Sequence, residues 1–158
     1  MEPFRVFISS IMNPDREDLR PEREAAKAAI ERFSPISTAW AFEHATVSSQ
    51  PLLDFYLEAV KACDLLILIV GEEMTEPVRQ EFITARDHGK PILVFRKSVS
   101  QRTPEAEAIL READKKYDDF ADAAELARKI AIRSGPNSWR SFAEARPRGR
   151  CRIHRSPS

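Results

Sequence analysis

The stretch Asp64-Leu-Leu-Ile-Leu-Ile-Val70, stopped by Gly71, decides the fold. An unbroken apolar run of this length between turn signals suits a strand buried on both faces, and such strands sit at the centre of parallel sheets covered by helices. Outward from it the chain alternates. On the N-terminal side, Leu52, Leu53, Tyr56, Leu57 and Val60 recur at helical spacing. Before them lies a strand, Ile36 to Glu43, opened by the break Ser34-Pro35 and followed by a loop with Ser48, Ser49 and Pro51. A helix from about Pro21 to Phe33 carries Ala25, Ala26, Ala29, Ile30 and Phe33 at helical spacing, with Pro21 in the first turn, where its missing N–H is no loss. The first strand is Phe4 to Ser9, ending at the pair Ser9-Ser10.

On the C-terminal side, Thr75 or Glu76 caps a helix with Pro77 in its first turn, and Gly89 ends it. Pro91 to Phe95 (PILVF) is a fourth strand. Thr103 and Pro104 open a helix to about Asp114, Lys115 to Asp118 is a weak fifth strand, and a last helix around Leu126 and Ile130 ends near Arg133. The alternation predicts an α/β domain with a parallel sheet and helices on both faces. Residues 1–133 form this domain, and residues 134–158 form a basic tail expected to be disordered.

Composition sets the bounds. One domain is the default for 158 residues, and that length can bury a core without staples. The formal net charge is zero, but the tail holds Arg140, Arg146, Arg148, Arg150, Arg152 and Arg155 against Glu144 alone, which leaves the body acidic. Nucleic-acid binding through RPRGRCRIHR is the minor reading of that tail, and a solvated segment is the usual one. Cys63 and Cys151 form no CxxC pair, and His44, His88 and His154 are scattered, so neither a disulfide framework nor a metal site is expected; a reducing cytoplasm suits the pattern. The N-terminus lacks the layout of a secretory signal, and Leu65 to Val70 is far short of the ~20 residues of a membrane helix. GxGxxG and GxxxxGK[ST] are absent, against a dinucleotide fingerprint and a P-loop.

Open parallel sheets bind ligands beyond the carboxyl ends of their strands, where the strand order reverses. With order 2-1-3-4-5 that place lies between strands one and three, and it gathers Ser9 and Ser10 with Gly71 and Glu72. Two hydroxyls beside exposed backbone amides suit a phosphate or ribose. On the helix after the third strand, Glu81 is three residues after Val78 and four before Ala85, so it lies at the edge of the inward face. It could face the crevice, or it could pair with a nearby Arg or Lys and hold the helix in place. Glu43, at the end of the second strand, could contact a ribose hydroxyl or be a solvated loop acid. Cys63 reads as a buried filler.

Four segments, RVFISS, EDLRPEREAAKAAIE, FYLEAVKACDLLILIVG and EPVRQEFITARDHGKPILVF, together resemble a bacterial TIR-like family whose N-terminal domain is catalogued as one of unknown function. The similarity covers roughly Phe4 to Arg96 and continues more weakly to Arg133. It implies a TIR-like, flavodoxin-like three-layer sandwich with five parallel strands. In TIR enzymes a glutamate on the helix after the third strand is essential for splitting NAD at the nicotinamide–ribose bond, and Glu81 stands at the matching place. Two differences are visible. Thr75-Glu76-Pro77-Val78 replaces the Ser-x-Trp-Cys lead-in of many active TIR domains, and Asn13 to Glu17 are additional residues after the Ser pair.

Nucleoside deoxyribosyltransferase-like enzymes also place a glutamate before a Gly-Lys-Pro strand. The expectation is therefore a nucleotide-binding domain that hydrolyses NAD, or performs N-glycosidic chemistry on another nucleotide, in stress or phage-defence signalling. It needs no resident cofactor or metal; NAD would be its substrate. The alternative is a non-catalytic signalling module that binds a nucleotide, forms homo-oligomers or docks on a larger partner.

Overall fold

A computed structural model describes residues 4–11, 17–33, 37–40, 50–114 and 116–133. The elements alternate as β1 (Phe4–Ser10), α1 (Arg20–Glu31), β2 (Ser37–Trp40), α2 (Gln50–Ala62), β3 (Leu65–Val70), α3 (Glu76–Asp87), β4 (Ile92–Lys97), α4 (Pro104–Glu112), β5 (Tyr117–Phe120) and α5 (Ala123–Arg133). The strands form one sheet in the order β2-β1-β3-β4-β5. All four pairings are parallel. The α/β class with a parallel sheet is thus the one that the alternation implies.

The apolar run of β3 is buried at all six positions. Its side chains alternate between two cores, as a period of two requires. Leu65, Ile67 and Ile69 join Phe4, Val6 and Ile8 of β1 under Ala26 and Ile30 of α1 and Leu126 and Ile130 of α5. Leu66, Leu68 and Val70 join Phe7 under Val60 of α2, Val78, Phe82 and Ala85 of α3, and Ile109 and Leu110 of α4. Helices therefore cover both faces, which is why β3 has no polar side.

Asp64 fixes the register at the start of β3. Its backbone N–H donates to the Arg5 carbonyl at 2.8 Å. Its Oδ2 accepts from the Arg5 N–H, also at 2.8 Å. Val6 then pairs with Leu65 and Ser10 with Ile69, so β1 and β3 end side by side.

α3 ends in a left-handed glycine: Gly89 has φ 65°. Its N–H reaches the Arg86 carbonyl at 3.0 Å and the Lys90 N–H reaches the Ala85 carbonyl at 2.9 Å, the paired bonds of a Schellman cap. At the other end Thr75 takes the N-cap position, but its side chain makes no capping hydrogen bond. The corresponding threonine of α4 does cap: Thr103 Oγ1 accepts from the Ala106 N–H at 3.3 Å.

β2 is described over Ser37–Trp40; Ile36 and Ala41 to Glu43 of the expected strand lie outside the described residues. Two strand ends lie two residues from where the sequence reading puts them. β4 continues to Lys97 because Arg96 and Lys97 still have partners, Asp119 and Phe120. β5 begins at Tyr117 instead of Lys115: Asp114 is left-handed, with φ 55°. The Lys116 N–H still turns back to the Ala113 carbonyl.

The β4–β5 edge is tied by charge. Arg96 grips Asp119 with Nε and Nη2 at 2.5 and 3.0 Å. Its guanidinium also lies 4.3 Å from the centroid of the Tyr117 ring. The side-chain hydrogen bond from Arg96 is the main cause that holds the Asp119 carboxyl below the usual aspartate range. A depressed folded value means that this stabilisation is full above the unfolded pKa of about 3.9 and is lost as pH falls through the lower folded value. Both partners are partly exposed, so the pair contributes at most about 1 kcal/mol. Thermal melts should show Asp119→Asn a few degrees below wild type at pH 7, with the gap narrowing as pH falls below the usual aspartate range.

Candidate functional site

The carboxyl ends of β1 and β3 meet where the strand order turns back, with β2 on one side and β4 on the other. That is the place at which a parallel α/β sheet leaves a crevice. The chain leaves β3 through Gly71 and Glu72 and enters α3, which packs over β1 and β3.

Glu81 is wholly buried, at 0% exposure, on the face of α3 that also carries Val78, Phe82, Thr84 and Ala85. It sits in the second turn, about 7 Å along the axis from Glu76. A carboxylate at such a position costs several kcal/mol of desolvation before its surroundings compensate. An apolar residue would satisfy the packing at lower cost, so packing alone does not call for glutamate here.

Ser9 and Ser10 are both fully buried, and neither hydroxyl has a hydrogen-bond partner among the described residues. They do not act as a pair. Ser9 follows Phe7 on the face toward α3, while Ser10 follows Ile8 on the face toward α1 and α5. Ser9 and Glu81 therefore share the layer between β1 and α3, and Ser10 looks into the opposite layer.

Gly71 and Glu72 do lie at the end of β3, but the Glu72 amide is already engaged. The Glu17 carboxylate accepts from the Glu72 N–H at 2.8 and 3.0 Å and from the Glu73 N–H at 3.3 Å. The Glu72 carbonyl accepts from the Thr103 N–H at 2.9 Å, which ties this loop to the start of α4. Glu43 and the tail from residue 134 lie outside the described residues.

The sequence reading missed the polar groups buried under α1. Glu22 and Arg23 are 6% and 2% exposed. Glu22 Oε1 meets Lys97 Nζ, at the end of β4, at 2.7 Å. Arg102 donates to the Lys97 carbonyl. The helical count held a signal: Glu22, Ala26 and Ile30 follow each other at four-residue steps, and Arg23 is three before Ala26. Charged side chains on an inward stripe are the mark of a polar site or a buried ion pair.

Cys63 is also buried, next to β3. Desolvation pushes its thiol up to about 11. At pH 8 only about a thousandth of it is thiolate, and the thiolate is the reactive form. With Cys151→Ser as background, a thiol reagent at pH 8 is expected to leave Cys63 unlabelled until denaturant is added, as a colorimetric titration would show.

Among the described residues no group of His, Cys, Asp and Glu could hold a metal ion. No helix among them is long and apolar enough to cross a membrane.

A family model described as a domain of unknown function, DUF4062, matches residues 5–146. The chain belongs to this family. The DUF4062 match passes the end of α5 and takes in part of what the composition assigned to the tail. No curated protein matches the chain. Among solved structures, this DUF4062 domain is similar to a CMP N-glycosidase from Clostridium botulinum, with TM-score 0.59 and 18% identity over 81% of this chain and 98% of that one. It is also similar to a flavodoxin-like domain from Synechococcus, with TM-score 0.56 and 12% identity over 90% of this chain and 99% of that one. At these identities the likeness shows a shared fold, with flavodoxin-like neighbours.

Proposed function

We propose that this domain binds a nucleotide at the β1/β3 switch point and hydrolyses its N-glycosidic bond, with Glu81 as the catalytic carboxylate. The observation that carries the reading is the placement of Glu81, wholly buried on the inward face of α3 in the layer that holds the Ser9 hydroxyl. Support comes from the similar structure whose protein acts on CMP by N-glycosidic chemistry. The TIR-like segments point to NAD as the substrate and to a cytoplasmic stress or phage-defence role.

The chemistry needs little else. The bond between ribose C1′ and the base nitrogen breaks, and the electron pair leaves with the base. In NAD the nicotinamide departs neutral, because its ring nitrogen was cationic. The ribose becomes oxocarbenium-like, and a fixed carboxylate stabilises that charge and can hold a ribose hydroxyl. Water then bonds to C1′ and gives up a proton, which is released to solvent with NAD and goes to the departing base with CMP. Ser9 would bind the sugar from the sheet side.

The test is incubation with NAD and, separately, with CMP, followed by chromatography of the released base. Wild type should release base and Glu81→Gln should not. No base from either nucleotide at high protein concentration would overturn the proposal.

A second reading has its own observation, the 0% exposure of Glu81. A carboxylate so enclosed suits a structural ion pair in a non-catalytic signalling module that binds a nucleotide, a second copy or a larger partner. Calorimetry with NAD and light scattering separate this reading from the first: binding or self-association without base release supports it.

A further inference from the structure

We propose that the backbone amides of Glu72 and Glu73 are the seat for a phosphate group of the nucleotide, and that Glu17 is a tethered competitor occupying this seat in the ligand-free protein. The inference rests on the reading that the ligand is a nucleotide, and it adds the anion subsite and its control.

An anion already sits there. Two successive N–H groups converge on one carboxylate, with both Glu17 oxygens within 3.0 Å of the Glu72 nitrogen. Consecutive amides aimed at one point form a concavity suited to phosphate as well as carboxylate oxygens. Glu17 belongs to the segment after β1, 55 positions earlier in the chain, so the contact bridges the segments that follow β1 and β3.

Gly71 makes the room. A Cβ at this position would lie 2.4 and 2.6 Å from the two Glu17 oxygens and 2.7 Å from the carboxyl carbon. The backbone does not require glycine here: among the described residues Gly89 is the glycine with positive φ, and Gly71 is not so placed. The missing side chain serves the space that the anion fills.

Ser10 supplies an independent pointer to a ligand. Its side chain is 0% exposed, and its hydroxyl has no hydrogen-bond partner among the described residues. Ser10 pairs with Ile69, two residues before Gly71. By the pleat, Ser10 lies on the face on which a Gly71 side chain would project, the face that Glu17 covers. A buried hydroxyl on that same face, without an acceptor among the described residues, is a donor that a bound oxyanion can use.

A tethered carboxylate competes at high effective concentration, so it lowers apparent affinity by the fraction of time it occupies the seat. Removing it should strengthen anion binding. Nitrogen–proton correlation spectra during titration with inorganic phosphate read this directly. Glu17→Ala should bind phosphate about tenfold or more tightly than wild type, with the largest shifts at the Glu72 and Glu73 amides.

Glu72→Gln is the control for charge. It removes a negative charge at the same loop but leaves Glu17 on the amides, and it should gain much less. Adding Gly71→Ala to Glu17→Ala puts a methyl group into the seat and should abolish the gain. The proposal is overturned if Glu17→Ala binds phosphate no better than wild type or Glu72→Gln, or if the shifts fall away from residues 71–73. A separate failure remains visible. Phosphate bound at these amides in a protein that releases no base from NAD or CMP supports the seat and refutes the glycosidase.

Discussion

Phe7→Ala is expected to lower the unfolding free energy by about 3–5 kcal/mol. The side chain is wholly buried on β1, next to the central strand. It packs in the cluster with Leu66, Leu68, Val78 and Phe82, at the meeting of the sheet with α2 and α3. Alanine removes the ring and leaves a cavity that neighbours from three elements cannot close together. Domains of this kind are stable by roughly 5–15 kcal/mol, so the change takes a large share of the total. In urea the midpoint should fall with little change in slope, because the same surface is exposed on unfolding. Phe55 is the internal comparison. It is 59% exposed on α2, and its replacement by alanine should cost well under about 1 kcal/mol. Equal losses at the two positions would contradict the packing described.

Glu81→Gln separates catalysis from architecture. Glutamine keeps the size and removes the charge. If the carboxylate stabilises the ribosyl cation, base release should fall by about a hundredfold or more, with the loss in kcat and little change in KM. Glutamine keeps the shape and can still hydrogen-bond, so under this role the fold should melt within a few degrees of wild type. An ion-pair role gives the opposite pattern. Breaking a buried pair from one side costs about 3–5 kcal/mol, and the melting temperature would drop by many degrees. Melting curves and initial rates on the same two proteins therefore point in different directions for the two roles.

The parts of the fold legible in the sequence are those governed by local period. DLLILIV reads as a doubly covered strand because nothing polar interrupts it, and every residue from Leu65 to Val70 is buried. Gly89 reads as a helix stop because only a residue without a Cβ takes its φ at no cost. β5 starts two residues later than the alternation suggests because an edge strand of sequence YDDF carries almost no hydrophobic signal; its position is set by pairing with β4 and by the Arg96–Asp119 bridge.

The site was legible in pieces. The helical count placed Glu81 toward the inward face of α3, but its complete enclosure depends on how α3 packs against the sheet. The two-residue period already implied that Ser9 and Ser10 look in opposite directions. Glu17 could not be found by any local pattern, since its partners lie 55 and 56 positions away. The nearest signal was Gly71 itself, a glycine ending a strand with no turn that needs it. Glu22 and Arg23 carry charge, which ordinarily favours solvent, although their spacing from Ala26 and Ile30 puts them inward.

The most direct measurement is a crystal structure of the Glu81→Gln protein with NAD or CMP bound. The account predicts the ribose between β1 and α3, with the residue 81 carboxamide within about 2.6–3.2 Å of a ribose hydroxyl. A nucleotide bound at the sheet with residue 81 still enclosed and out of reach of the sugar would contradict it.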